Sequence, residues 1–215
     1  MGAIMKINVI SLFPDIIESS LKGLVGKALD NKVAILELLD LKKFSQNEYG
    51  SVDDSPYGGG EGMVMSVEPL EACLKTIKKP GKVIYLTPQG QIFNQKKAIE
   101  LSSLKHVTFV CGRYEGIDQR FIDNYIDEEL SIGDYILSGG EIAASVVIDA
   151  LLRNKDGVLG NKASATNDSL SQGRLKGHAF TRPKDYKGNK IPEILSSGDH
   201  KKIEEWKIGN SLWVT

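Results

Sequence analysis

The sequence predicts an α/β protein whose parallel sheet carries helices on both faces, and three observations predict it. First, short β-branched and aromatic runs such as Lys6 to Phe13, Lys82 to Leu86 and His106 to Cys111 alternate with helical stretches of about ten residues, the order that parallel strands joined by crossover helices require. Second, the runs end in turns bearing glycine or proline, Thr87 to Gly90 and Gly112 to Gly116. A sheet of this kind binds its ligands beyond the carboxyl ends of its strands. Third, from Glu141 to Arg153 the polar residues Glu141, Ser145, Asp149 and Arg153 recur at every fourth position among apolar or small residues. That pattern predicts a helix buried all round except for one polar stripe.

Taken in order, Lys6 to Phe13 is a strand, and Pro14 opens one helix on which Ile17, Leu21, Leu24 and Ala28 recur at helical spacing. Val33 to Leu41 is the second strand. Ser45 to Gly62 is polar, glycine-rich and aperiodic, and loops of that length in a compact domain are binding loops or disordered. Its five glycines, with Asp53, Asp54 and Tyr57, favour a loop that closes on a ligand over a flexible connector. Val67, Leu70, Leu74 and Ile77 mark a helix, Lys82 to Leu86 a strand running into Thr87-Pro88-Gln89-Gly90, and Asn94 to Leu101 a short helix. His106 to Cys111 is a strand and Ile117 to Tyr125 a helix. In Ile132 to Gly140, Gly133, Gly139 and Gly140 surround Tyr135, Ile136 and Leu137, which predicts sharp turns lined by apolar side chains. The helix beginning at Glu141 has more apolar surface than one sheet face covers, so a homodimer is expected.

At 215 residues the chain suffices for one substantial core, or for a core with a small appendage. The division predicted is a core domain over 1–153, a linker rich in Gly, Lys, Ser and Ala over 154–167, and a small basic segment over 168–215. That last segment has helix signals at Asp168 to Gln172 and His200 to Lys207. Charge follows the division: residues 1–150 hold 15 Lys and Arg against 21 Asp and Glu, whereas residues 151–215 hold 12 against 7. Six bases and one acid lie between Arg174 and Lys190, which suits either a phosphate-contacting face or a solvated surface. No apolar run reaches membrane-spanning length and no export signal opens the chain, so a cytoplasmic, non-membrane protein is expected. Cys73 and Cys111 sit in apolar segments and read as buried thiols. Neither a dinucleotide nor a triphosphate fingerprint occurs, Gly23 to Lys27 having the wrong spacing, and no histidine stands at metal-ligand spacing, so no metal site is assigned.

Together, ISLFP at Ile10 to Pro14, VDDSPYGGGEGM at Val52 to Met63, YLTPQG at Tyr85 to Gly90, CGRYEGID at Cys111 to Asp118 and SIGDYILSGGE at Ser131 to Glu141 closely resemble the bacterial tRNA (guanine-N1)-methyltransferase family. GVLG at Gly157 to Gly160, ASATNDS at Ala163 to Ser169 and TRP at Thr181 to Pro183 continue the match over nearly the whole chain. The resemblance implies a trefoil-knotted methyltransferase fold, an obligate homodimer with its active site between subunits, and a small, mostly helical C-terminal domain that binds tRNA. It implies S-adenosylmethionine as methyl donor, Mg²⁺ as an associated ion, and as acceptor N1 of the guanosine just 3′ of the anticodon. By resemblance the donor is held by Tyr85, Leu86, Thr87, Pro88 and Gly90, by Gly112, Tyr114 and Glu115, and by Ile132, Gly133, Asp134, Tyr135, Ile136, Leu137, Gly139 and Gly140. Tyr57, Gly58, Gly59, Ser169 and Arg182 are implied to contact tRNA.

The same resemblance makes Asp168 the general base that removes the N1 proton, and Arg153 the cation that stabilises charge developing on the guanine. Plainer roles stand beside these. Asp168 opens an apparent helix as an N-cap would, and Arg153 can pair with Asp149 one turn back. The LKGHAF stretch at Leu175 to Phe180 departs from the family's usual pattern. The alternatives are a knotted-fold methyltransferase acting at another RNA position and a non-catalytic RNA-binding module.

Overall fold

The computed structural model describes residues 4–45, 50–159, 170 and 174–213, without the side chains of 174 and 213. It divides into two compact units, residues 1–160 and 161–215.

In the first unit, β1 (Met5–Ser11), β2 (Ala34–Asp40), β5 (Lys82–Ile92), β6 (His106–Cys111) and β7 (Glu128–Ser131) form one sheet in the order β2-β1-β6-β5-β7, every neighbouring pair parallel. A separate antiparallel pair, β3 (Asp53–Asp54) and β4 (Val64–Met65), lies between β2 and β5 in the chain. The helices are α1 (Pro14–Ser20), α2 (Gly23–Asp30), α3 (Val67–Thr76), α4 (Gln95–Ser102), α5 (Gln119–Tyr125) and α6 (Gly140–Leu152).

Strand alternation builds two cores. Side chains of successive strand residues point to opposite faces, so Ile7 and Val9, Ile84 and Leu86, and Val107, Phe109 and Cys111 pack on one side with residues of α1, α2, α4 and α6. Ile10, Val83, Tyr85 and Val110 pack on the other with Leu70 and Cys73 of α3 and Phe121 of α5. The sheet is therefore covered on both faces, as the sequence predicts. Asn8 is buried at 4% exposure and is satisfied by donating to Thr108 Oγ1 at 3.1 Å, which stitches β1 to β6.

The structure corrects three local expectations and adds a strand that the sequence does not announce. The helix expected from Pro14 is two helices: the chain turns at Leu21–Lys22, Gly23 takes a left-handed φ of +65°, and Leu24, expected in the core, stands 42% exposed. Strand β7 carries Glu128 and Glu129 in a run of four residues, too short and too acidic to read as a strand, yet it forms one edge of the sheet. The long polar loop contains β3. On α6 the polar stripe is partly inverted, with Glu141 and Ser145 buried at 1% and 7% while Ile142 and Val146 stand 47% and 44% exposed.

The second unit holds the helix His200–Gly209, a 3₁₀ turn Glu193–Ser196 and two antiparallel pairs, Arg174–Leu175 with Leu212–Trp213 and Asp185–Tyr186 with Asn189–Lys190. Phe180 packs against Trp206 with ring centroids 6.2 Å apart, and no described residue of this unit is fully buried. Among the described residues no helix is long and apolar enough to cross a membrane.

Candidate active site

A bulge within β5 after Leu86 and the loops that follow β6 and β7 line a cavity of about 550 Å³. That volume is within the range of small-molecule sites. The β5 loop is made by a break in register: Leu86 and Gln91 both pair with Leu130 of β7, so Thr87, Pro88, Gln89 and Gly90 leave the β5–β7 ladder. Their backbone groups are freed from sheet pairing, and Tyr85, Leu86, Thr87, Pro88 and Gln89 line the cavity. Gly90 does not. A Cβ there would stand 2.4 Å from the Glu129 carbonyl carbon, so Gly90 lets β5 rejoin β7 rather than facing a ligand.

The β6 loop contributes Gly112, Arg113, Tyr114, Glu115 and Gly116. It is pinned from outside by the segment around β4, since Glu115 N donates to Met63 O, Met65 N to Gly116 O, and Asp118 N to Met65 O, each at 3.0 Å. Tyr85 fills the floor beside Gly112, where a Cβ would come within 2.7 Å of the phenol oxygen. Burial pushes the Tyr85 phenol up, partly offset by its hydrogen bond with Thr87, so it stays protonated at neutral pH. The loop after β7 supplies Ile132, Gly133, Tyr135, Ile136, Leu137, Ser138, Gly139 and Gly140. Asp134 is exposed and outside the lining. Leu86, Ile132 and Leu137 give apolar wall, while Ile136 is 81% exposed.

The other residues singled out from sequence are not in this cavity. Tyr57, at 99% exposure, and Gly58 and Gly59 form an open turn between β3 and β4. Arg153 follows α6, exposed, its backbone N–H bonded to Asp149 O at 3.0 Å. Arg182 is exposed in the second unit, and Asp168 and Ser169 lie outside the described residues. Most of the linker expected over 154–167 is likewise undescribed; Asn154 to Leu159 continue from α6 in turns.

Sequence reasoning missed Arg113 and its buried counter-ion. Arg113 Nε donates to Glu141 Oε2 at 3.0 Å, and Glu141 Oε1 accepts from Ser11 Oγ at 2.8 Å. The Phe13 ring lies against the guanidinium, 4.4 Å from Cζ. These four residues come from three distant segments, and nothing in local spacing couples them.

The sequence profile described as tRNA (guanine-1)-methyltransferase TrmD matches residues 5–215. The chain belongs to that methyltransferase family. It is 44% identical over 211 residues to the tRNA (guanine-N(1)-)-methyltransferase of Lactobacillus johnsonii, covering 98% of this chain and 88% of the relative. The protein of the same name from Latilactobacillus sakei is 46% identical, with 97% and 86% covered, and that from Listeria monocytogenes 44%, with 97% and 87%. The match runs through both units, and the three cavity loops are among the segments on which the resemblance rests.

Proposed function

We propose that this chain transfers the methyl group of S-adenosylmethionine to N1 of the guanosine just 3′ of the tRNA anticodon, acting as a homodimer. The observation that carries this reading is the cavity: 14 of the 16 residues expected to hold the donor line it, Gly90 and Asp134 being the exceptions. Its chemistry fits the donor. Backbone groups released from the β5–β7 ladder can hydrogen-bond an adenine edge, and Leu86, Ile132 and Leu137 can pack on its faces. Among the described residues no group of three or more His, Cys, Asp or Glu could hold a metal ion.

When bound, the donor supplies an electrophilic methyl on a sulfonium. The guanine N1 lone pair takes it as the carbon–sulfur bond breaks, leaving the thioether product, and the N1 proton passes to Asp168. Arg153 offsets negative charge at O6. Residues Gly140 to Leu152 of α6 span about 20 Å at helical rise, with the cavity at one end and Arg153 at the other. That separation supports a site in which the partner subunit's Arg153 serves each cavity. The exposed Ile142 and Val146 on the same helix support an apolar contact between subunits.

The test is methyl transfer to tRNA transcripts carrying guanosine or adenosine at the target, with Asp168→Asn alongside. Only the guanosine transcript should accept methyl. Asp168→Asn should lose about 10²- to 10⁴-fold in turnover with partial rescue at higher pH, while retaining affinity for S-adenosylhomocysteine. Equal methylation of both transcripts would refute the acceptor, and wild-type turnover in the variant would refute the base.

A further inference from the structure

Arg113 is the only cationic side chain among the described residues lining the cavity, and the proposed methyl transfer gives it no task. Its surroundings fix it. Nε is held by Glu141, itself 1% exposed and anchored on Ser11, and one face of the guanidinium is covered by Phe13. The side chain is 17% exposed, yet among the described residues neither terminal nitrogen has a hydrogen-bond or ion-pair partner. A guanidinium presents five donors in a rigid fork, so the two terminal nitrogens are left open to a ligand. With Nε taken by Glu141, the edge opposite it can still bind a carboxylate or phosphate through two parallel bonds. Lys42 Nζ, 4.4 Å from the centroid of the same Phe13 ring, adds a second positive charge nearby.

We infer that Arg113 is an oxyanion-binding residue of this site, preset by Glu141, Ser11 and Phe13, and that its terminal nitrogens grip an anionic oxygen pair on a ligand. The inference rests on the cavity holding the methyl donor. Two sources of that oxygen pair share the chemistry: the amino-acid carboxylate of the donor, and a phosphate of the RNA.

The experiment is calorimetry on the full chain and on Arg113→Gln and Arg113→Lys, with S-adenosylhomocysteine and with 5′-methylthioadenosine, which lacks the carboxylate. Affinity for tRNA is measured in parallel across a salt series. If the carboxylate is the ligand, Arg113→Gln weakens S-adenosylhomocysteine on the order of ten- to hundredfold and leaves 5′-methylthioadenosine unchanged. If a phosphate is the ligand, both small molecules bind as before, while tRNA binding weakens and its logarithmic salt slope falls by about one. In either case Arg113→Lys, which keeps the charge without the fork, recovers part of the loss. Unchanged affinity for all three ligands overturns the inference. So does an equal loss for both small molecules with no change in the tRNA salt slope, because Arg113 would then only shape the cavity. Should Arg113→Gln fail to fold, the folded Lys variant decides by the same outcomes. A wild-type protein that binds neither small molecule would instead refute the donor reading, and the tRNA series would still test Arg113.

Discussion

At Gly140 a built Cβ would stand 2.8 Å from Cys111 Cα, so the start of α6 lies directly against the end of β6. The glycine is needed for that packing as well as for lining the cavity. One residue on, Glu141 holds a buried charge whose partners are Arg113 and Ser11. Removing one member of such a pair leaves the other uncompensated, so Glu141→Ala should lower stability by about 3 kcal/mol, measured by chemical denaturation. No loss of stability would show that Arg113 finds another counter-ion. Burial, with Asp40 adding to it, pushes the Cys73 thiol up from 9.0 to about 12. The unfolded chain therefore ionises this thiol first. Its contribution to stability is full below pH 9.0 and is lost as pH rises through about 12. Between those limits, stability should fall more steeply in the native chain than in Cys73→Val, and parallel pH profiles would disprove the assignment.

Helix α6 joins the cavity to the proposed subunit contact. Val146 and Val147 are neighbours in sequence, yet Val146 is 44% exposed and Val147 is fully buried against the sheet. Val146→Lys should therefore leave the fold intact and shift sedimentation from dimer to monomer, with methyl transfer lost because Arg153 no longer reaches a cavity. Val147→Lys should instead unfold the unit, since an unpaired charge in a packed core is among the most destabilising changes. A folded dimer carrying Val146→Lys would place the interface elsewhere. The sequence reading put both valines on one apolar surface because it took Glu141 and Ser145 to mark the solvent side. Glu141 is in fact buried because Arg113 and Ser11 satisfy it, and Ser145 Oγ bonds to Glu141 O at 3.0 Å and to Ser20 Oγ at 2.7 Å.

Across the whole molecule, both hydrophobic cores lie within the first unit, and no described residue of the second is fully buried. Removing residues 161–215 should therefore leave a folded protein that still binds S-adenosylhomocysteine. It should lose most affinity for tRNA, because 10 of the 27 Lys and Arg lie in that segment and phosphate contacts dominate such binding. Retained tRNA affinity, measured by filter binding at fixed salt, would move the electrostatic contact to the first unit.

The sequence by itself determined the parallel α/β architecture, the strand runs at β1, β2, β5 and β6, and the three loops of the cavity. These depend on local patterns: apolar runs of β-branched residues, helical periodicity, and glycine or proline where a strand must end. Only the tertiary structure decided that Leu21 and Lys22 break a helix, that the acidic Glu128–Ser131 forms one edge of the sheet, and that Gly90 meets β7 instead of a ligand. It alone brought Ser11, Arg113 and Glu141 together from three strand and helix ends. Each of these depends on which distant backbone or counter-charge lies alongside, and a polar residue is exposed or buried according to whether the fold supplies it a partner, which spacing along the chain does not encode.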